Sequence, residues 1–485
     1  MITITIMTLA PLVAAILILI MSEQRARVLA LIGALVSFVL TSWMLLFEFG
    51  SDELTPKPMP WIEDIHIYYH VGLDGTNALV LFLAALIAPI VVCISWGHSD
   101  RPKTYFALLS LQFTGLFGTF TALNFFHWFI YWELALVPAF FLIKLFGKGE
   151  ERHKAAINFF LFTVLGSVAM LLGFLFLYMK TKSFNFIELP GEVKNIEVSS
   201  WIFFAILAGL WVKVPLVPLH IWQAPTYAAA PTPVTILLTG VMSKMGVYGF
   251  LRLIVPIFPE QLQQHSDMIL GFALLTILWG AFLALRQTDL KKLLAFSSLN
   301  HVAYCILGIG AIGVATDGLK LNDANELARQ GVILQMFAHG LSATGLFYLI
   351  GLLEQRTGSR DRNGFGGLCS VTPRFTAMFY ILTFCSLGLP FLAGFAAEFL
   401  IFSGSFAIAP KITAVATLGL LATAVFLLTM LQRVFTGPVN EQYQSMQDLT
   451  GKEILILIPI MILVFWAGIY PKTWLAFSQV SLLTP

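Results

Sequence analysis

The chain has 485 residues, of which 58% are hydrophobic and only 11% charged, and its formal net charge is +2. Soluble domains carry roughly 25% charged residues, so this composition excludes a string of soluble domains. The balanced charge gives no reason to expect a nucleic-acid partner, and the chain reads as one membrane domain, 1–485.

Apolar runs long enough to span a bilayer recur from end to end. In chain order they predict an all-α membrane protein of about fourteen transmembrane helices, at 3–22, 28–49, 75–96, 104–123, 125–146, 155–179, 200–222, 232–256, 267–286, 290–313, 328–352, 373–407, 412–435 and 453–478. The longer connections are 50–74, 180–199, 314–327, 356–372 and 436–452, and none has the look of a linker between folded domains. No basic segment precedes the first apolar run, so the first helix is expected to be kept rather than cleaved. With the N-terminus placed outside, seventeen Lys and Arg fall on the inner side against eight on the outer, while Lys213, Lys244 and Arg252 stay within helices. That bias predicts an even helix count with both termini outside.

Two of these helices are interrupted. The seventh carries Lys213-Val-Pro215-Leu-Val-Pro218-Leu-His220, where two prolines remove backbone donors in mid-membrane. The twelfth carries Gly388-Leu-Pro390-Phe-Leu-Ala-Gly394-Phe-Ala-Ala-Glu398 and is too long for one straight span. Non-helical backbone at that depth survives only beside protein or water. Broken helices five positions apart predict inverted five-helix repeats, helices four to eight (about 104–256) and nine to thirteen (about 267–435).

Ionisable groups are the second anomaly. Glu133, Lys213, Lys244, His301, His339 and Glu398 fall at the centres of six different predicted helices. Each costs about 2.5–3.5 kcal/mol at the bilayer centre on insertion scales, so such groups persist where they pair, line water or carry charge. One buried histidine is most simply a satisfied core hydrogen bond; six groups on six helices point instead to a relay of proton-holding sites. Burial favours the neutral form of each group and pairing favours the charged form, so a Lys beside a Glu can act as a switch. Lys144 and Arg252 lie near helix ends and are expected to snorkel to the headgroups.

Other signals are weaker. Gly308-Ile-Gly310-Ala-Ile-Gly313 fits a dinucleotide-binding pattern but ends a membrane helix instead of following a strand. Cys93, Cys305, Cys369 and Cys385 lack ligand spacing, so no metal or disulfide frame is expected from them. The aromatic run from Phe125 to Trp132 reads as lipid or helix packing, with His127 at the interface.

Phe129-Ile-Tyr-Trp-Glu133-Leu-Ala-Leu-Val-Pro138 resembles the fifth-helix signature of the antiporter-like subunits of respiratory complex I. The resemblance continues through Val212-Lys213-Val-Pro215-Leu-Val-Pro218-Leu-His220 and Gly240-Val-Met-Ser-Lys244-Met-Gly-Val-Tyr-Gly249. It extends to Asp289-Leu-Lys-Lys-Leu-Leu-Ala-Phe-Ser-Ser298-Leu-Asn-His301 and Gln335-Met-Phe-Ala-His339-Gly-Leu-Ser342. Glu398 on the broken twelfth helix is similar to the M-type subunit (chain 4 of the mitochondrial enzyme), where L- and N-type chains usually carry Lys. The chain also stops soon after helix fourteen, without the long lateral helix expected of the L-type.

The resemblance implies proton translocation coupled to quinone reduction in other subunits, which would carry FMN and iron–sulfur clusters, with no cofactor, metal or redox site in this chain. Glu133 and Lys213 would form the switch pair, Lys244 the central relay, His301 and His339 its continuation, and Glu398 the terminal carrier. Partners would be the other membrane subunits, L- and N-type chains included, in a prokaryotic cytoplasmic membrane. A subunit of a multi-chain cation/proton antiporter is one alternative, and Glu398 speaks against it. Another is a membrane subunit of a hydrogenase or a ferredoxin- or F420-linked complex. Two departures stand out. Gln223-Ala-Pro-Thr-Tyr227 replaces the family's Leu-Pro-Asp-Ala-His, and Phe391-Leu392 with Ala397 brings bulk to the twelfth-helix break, where it is expected to narrow a water path.

Overall fold

The computed structural model describes residues 1–51, 54, 57–65, 67–194, 196–314 and 319–480. Residues 315–318 of the expected connection at 314–327, and the side chain of Lys320 counted on the outer side, lie outside the described residues. Among those described, ten helices are long and apolar enough to cross a membrane, and Ala78–Ile94, Ser200–Lys213 and Ala393–Ile408 are shorter apolar helices.

In chain order the main helices are α1 (Ile2–Ile20), α2 (Ala26–Trp43), α3 (Ala78–Ile94), α4 (Pro102–Thr121), α5 (Phe125–Phe146), α6 (Arg152–Thr181) and α7 (Ser200–Lys213). They continue with α8 (Thr232–Ile257), α9 (Ser266–Arg286), α10 (Leu290–Val314) and α11 (Leu319–Thr357). The last are α12 (Pro373–Ser386), α13 (Ala393–Ile408), α14 (Pro410–Phe435) and α15 (Gly451–Ile469). Helices α8, α10 and α11 are enclosed almost completely, whereas α1, α2, α5, α6, α9, α14 and α15 bury less than half of their apolar stretches inside the bundle. A helix apolar all round belongs either inside a bundle or against lipid, and this chain uses both settings.

Both predicted interruptions are present. α7 stops at Lys213, and after an irregular stretch the chain resumes as a short helix, Gln223–Ala229. The twelfth expected helix divides into α12 and α13, with Gly388 (φ 71°) and Phe391 (φ 72°) turning the backbone between them. Left-handed φ is easy for glycine and strained for phenylalanine. Phe391 is 71% exposed and points away from the bundle, and Leu392 packs into the core. The expected narrowing of a path by Phe391 therefore does not occur.

α13 is brought close to α11 by glycines. A Cβ on Gly404 would strike the backbone of Ala324 and Ala328, and one on Gly331 would strike Ile401. Small residues of this kind let membrane helices approach closely, and here they set the helix of Glu398 against the helix of His339. The connection 50–74 also contains an antiparallel hairpin, Met59–Ile62 with Ile67–Tyr69, which hydropathy did not announce. Its Trp61 and Tyr69 rings pack at 4.8 and 5.2 Å from His127, so His127, in the first turn of α5, is buried under the hairpin.

Arg252 corrects a second expectation. It does not snorkel: its side chain is fully buried, and both terminal nitrogens donate to Asp74, at 2.8 and 2.5 Å. Its Nε donates to Tyr248 Oη at 3.1 Å. The paired fork of a guanidinium meets both carboxylate oxygens at once, and so a full charge is accommodated in the core. The pair ties the segment before α3 to the C-terminal end of α8.

Candidate functional site

Lys244 lies near the middle of α8, between two π-helical turns, Leu238–Met242 and Phe250–Ile254. π-turns shift the hydrogen-bond ladder and recur at functional sites. Lys244 Nζ donates to Thr239 O at 2.5 Å and Ser243 Oγ at 3.3 Å, and it stands 2.8 Å from His339 Nδ1 on α11. The amine is enclosed, with 1% of the residue exposed.

From His339 the file continues. The His339 and His301 rings lie 5.4 Å apart, centroid to centroid. His301 Nδ1 is 3.1 Å from Glu398 Oε1. Between them lies a cavity of about 10 Å³ lined by both imidazoles, Ser342, Ser386 and Glu398, room for about one water. An imidazole can take a proton on one nitrogen and release it from the other, so this order of groups can pass protons along the row. Four of the six predicted residues are thus brought into one connected row: Lys244, His339, His301 and Glu398.

The other two stand apart from that row. Lys213, the last residue of α7, is buried, and among the described residues its Nζ has no hydrogen-bond partner. Glu133 on α5 is half-buried, and its Oε1 likewise has none. Among the described residues the two side chains form no direct ion pair. Lys213 Nζ lies instead 4.8 Å from the centre of the Trp132 ring. On its other side is a second cavity of about 10 Å³, lined by Phe159, Trp222, Tyr227 and Ser243 with Lys213. Ser243 is hydrogen-bonded to Lys244, so this cavity is what separates the two lysines.

Sequence reasoning missed Trp132, Ser243 and the Asp74–Arg252 pair. Trp132 adjoins Glu133 in the fifth-helix motif, and Ser243 adjoins Lys244, so chain adjacency to a buried charge was the available signal.

A bundle of membrane helices with ionisable groups threaded through its enclosed centre defines an ion carrier. A family model described as NADH:quinone oxidoreductase/Mrp antiporter, TM, matches residues 122–425. Chain 4 of NADH-ubiquinone oxidoreductase from Arabidopsis thaliana is 32% identical, over 96% of this chain and 93% of its own. Subunit M of NADH-quinone oxidoreductase from Escherichia coli K12 is 34% identical, over 85% and 82%. A chain of respiratory complex I from Thermus thermophilus with bound NADH superposes with a TM-score of 0.86 at 28% identity, covering 99% of this chain and 100% of that one. The chain belongs to the NADH:quinone oxidoreductase/Mrp antiporter membrane-subunit family.

Proposed function

We propose that this chain is the M-type, proton-translocating membrane subunit of a complex I-type NADH:quinone oxidoreductase. The observation that carries the reading is the enclosed row Lys244–His339–His301–Glu398. The similarity to chain 4 and subunit M over most of the chain supports the assignment to the redox-driven enzyme.

In this reading α12 and α13 are the two halves of one broken span, so the fifteen helices make fourteen crossings. The inverted repeats are about 104–256 and 267–435, each with a broken helix beside a buried ionisable centre. Both termini lie outside. In support, Lys148, Lys291 and Arg360 gather around Glu354 at one end of the bundle, the end that the basic-residue bias places inside. The chain resides in a prokaryotic cytoplasmic membrane beside other membrane subunits, L- and N-type chains among them. FMN and iron–sulfur clusters in partner subunits supply the hydride and electron chemistry, and quinone is reduced there. This chain's residues hold and move protons.

Glu133 and Lys213 act as the switch. While the carboxylate attracts Lys213, the ammonium keeps its proton; once Glu133 is neutralised, Lys213 is released and can give up its proton toward the cavity it shares with Ser243. A proton arriving at Lys244 passes to His339 Nδ1, crosses to His301, and reaches Glu398. Glu133→Gln removes the counter-charge without changing shape. NADH-driven acidification in membrane vesicles is expected to fall about tenfold or more, with the complex still assembled, since general acid–base groups contribute at least that much. Normal proton uptake by the variant would remove Glu133 from the switch.

A further inference from the structure

We infer that Trp132 is the second resting place of the Lys213 ammonium, and that its indole face makes the Glu133–Lys213 switch bistable. The inference deepens the relay reading above and rests on it.

Lys213 Nζ is buried, without a hydrogen-bond partner among the described residues, yet its distance of 4.8 Å from the Trp132 ring centre is within cation–π range. An indole is the strongest neutral aromatic partner for a cation, and the attraction grows when water is excluded. The ring is immobilised for this purpose. Trp132 is 1% exposed, packs at 4.5 Å on Trp128, and donates from Nε1 to Ser167 Oγ at 3.0 Å. Ser167 Oγ in turn donates to Thr163 O at 2.9 Å.

Trp132 and Glu133 are consecutive residues of α5, so their side chains leave the helix about 100° apart. One flexible lysine at the end of α7 therefore has two candidate partners on one helix, a fixed aromatic face and a carboxylate whose Oε1 has no hydrogen-bond partner among the described residues. Without the indole, a Lys213 released by Glu133 would be a buried cation with no partner, and it would lose its proton at once instead of holding it in a second position. With it, both positions are accessible, and neutralising or engaging Glu133 decides between them. Trp132 is a positioning residue: it acts on the proton path through Lys213. Ser167 holds the indole in place.

The test uses fluorinated tryptophans at position 132 of the intact complex in membrane vesicles. Fluorine drains the negative face of the ring while nearly preserving its shape. NADH-driven acidification with a soluble quinone is expected to fall stepwise from mono- to di- to trifluoro-Trp. Trp132→Phe is expected to retain part of the pumping, and Trp132→Leu to fall about tenfold, with assembly unchanged. The same series at Trp279, partly exposed on α9, is expected to show no trend. Pumping that ignores the fluorine count at position 132, or a Leu variant equal to the Phe variant, overturns the role of Trp132. Lys213→Met is measured in parallel to separate the two ideas. If it pumps normally, the relay reading itself fails; if it is dead while the fluorinated series is flat, only the Trp132 inference fails.

Discussion

Lys244→Ala is expected to lower proton pumping and the coupled quinone reduction together, by about 100-fold or more. Lys244 Nζ is the point where the cavity side of the relay, through Ser243, meets His339 at 2.8 Å. Truncation takes away the amine beside His339 Nδ1, while the Thr239 carbonyl keeps its bond from Ser243 Oγ, and opens a gap that a proton must cross without a carrier. A blocked relay stalls the redox steps, so quinone reduction falls as well. Lys244→Arg separates charge from proton release: a guanidinium stays protonated in proteins, so it restores the charge but not the transfer. Both variants are measured in vesicles by acidification and by NADH oxidation. Turnover and pumping that remain at the wild-type level in the Ala variant would make Lys244 a packing residue.

The largest expected effect on stability lies elsewhere. Asp74→Ala leaves Arg252 as an unpaired charge with no exposed surface, and breaking a buried pair on one side costs about 3–5 kcal/mol. The expected result is a large loss of assembled complex from the membrane and a lower thermal midpoint for what remains. Asp74→Ala with Arg252→Met removes both charges and is expected to recover much of the loss, because a matched apolar pair avoids the desolvation penalty. Equal levels in the single variant and the wild type would show that the ion pair does not anchor α8.

The architecture was legible because it rests on hydropathy and on interruptions of hydropathy. The breaks after Lys213 and at Gly388 were readable from Pro and Gly, and the six ionisable groups, five of them buried and Glu133 half-buried, from their cost in an apolar run. What the sequence could not place was helix rotation. That Lys244 meets His339 while His301 meets Glu398 depends on which faces of α8, α10, α11 and α13 turn inward, and α8 is enclosed on every side. Arg252 was misread because it sits one turn from a helix end, where snorkelling is common. Asp74 hid in Leu-Asp-Gly-Thr-Asn, which reads as an ordinary loop. The hairpin that covers His127 was not foreseen because its segment lacks strong alternation. Trp132 passed as packing, since nothing in an aromatic run marks which ring will face a lysine from another helix.

One measurement bears most directly on the account: purify the tagged chain gently with its companions, reconstitute the complex in vesicles, and supply NADH and a quinone. The account predicts a complex with flavin and iron–sulfur absorbance that acidifies the vesicle interior as NADH is oxidised. A colourless complex of hydrophobic chains, inert to NADH, would contradict it.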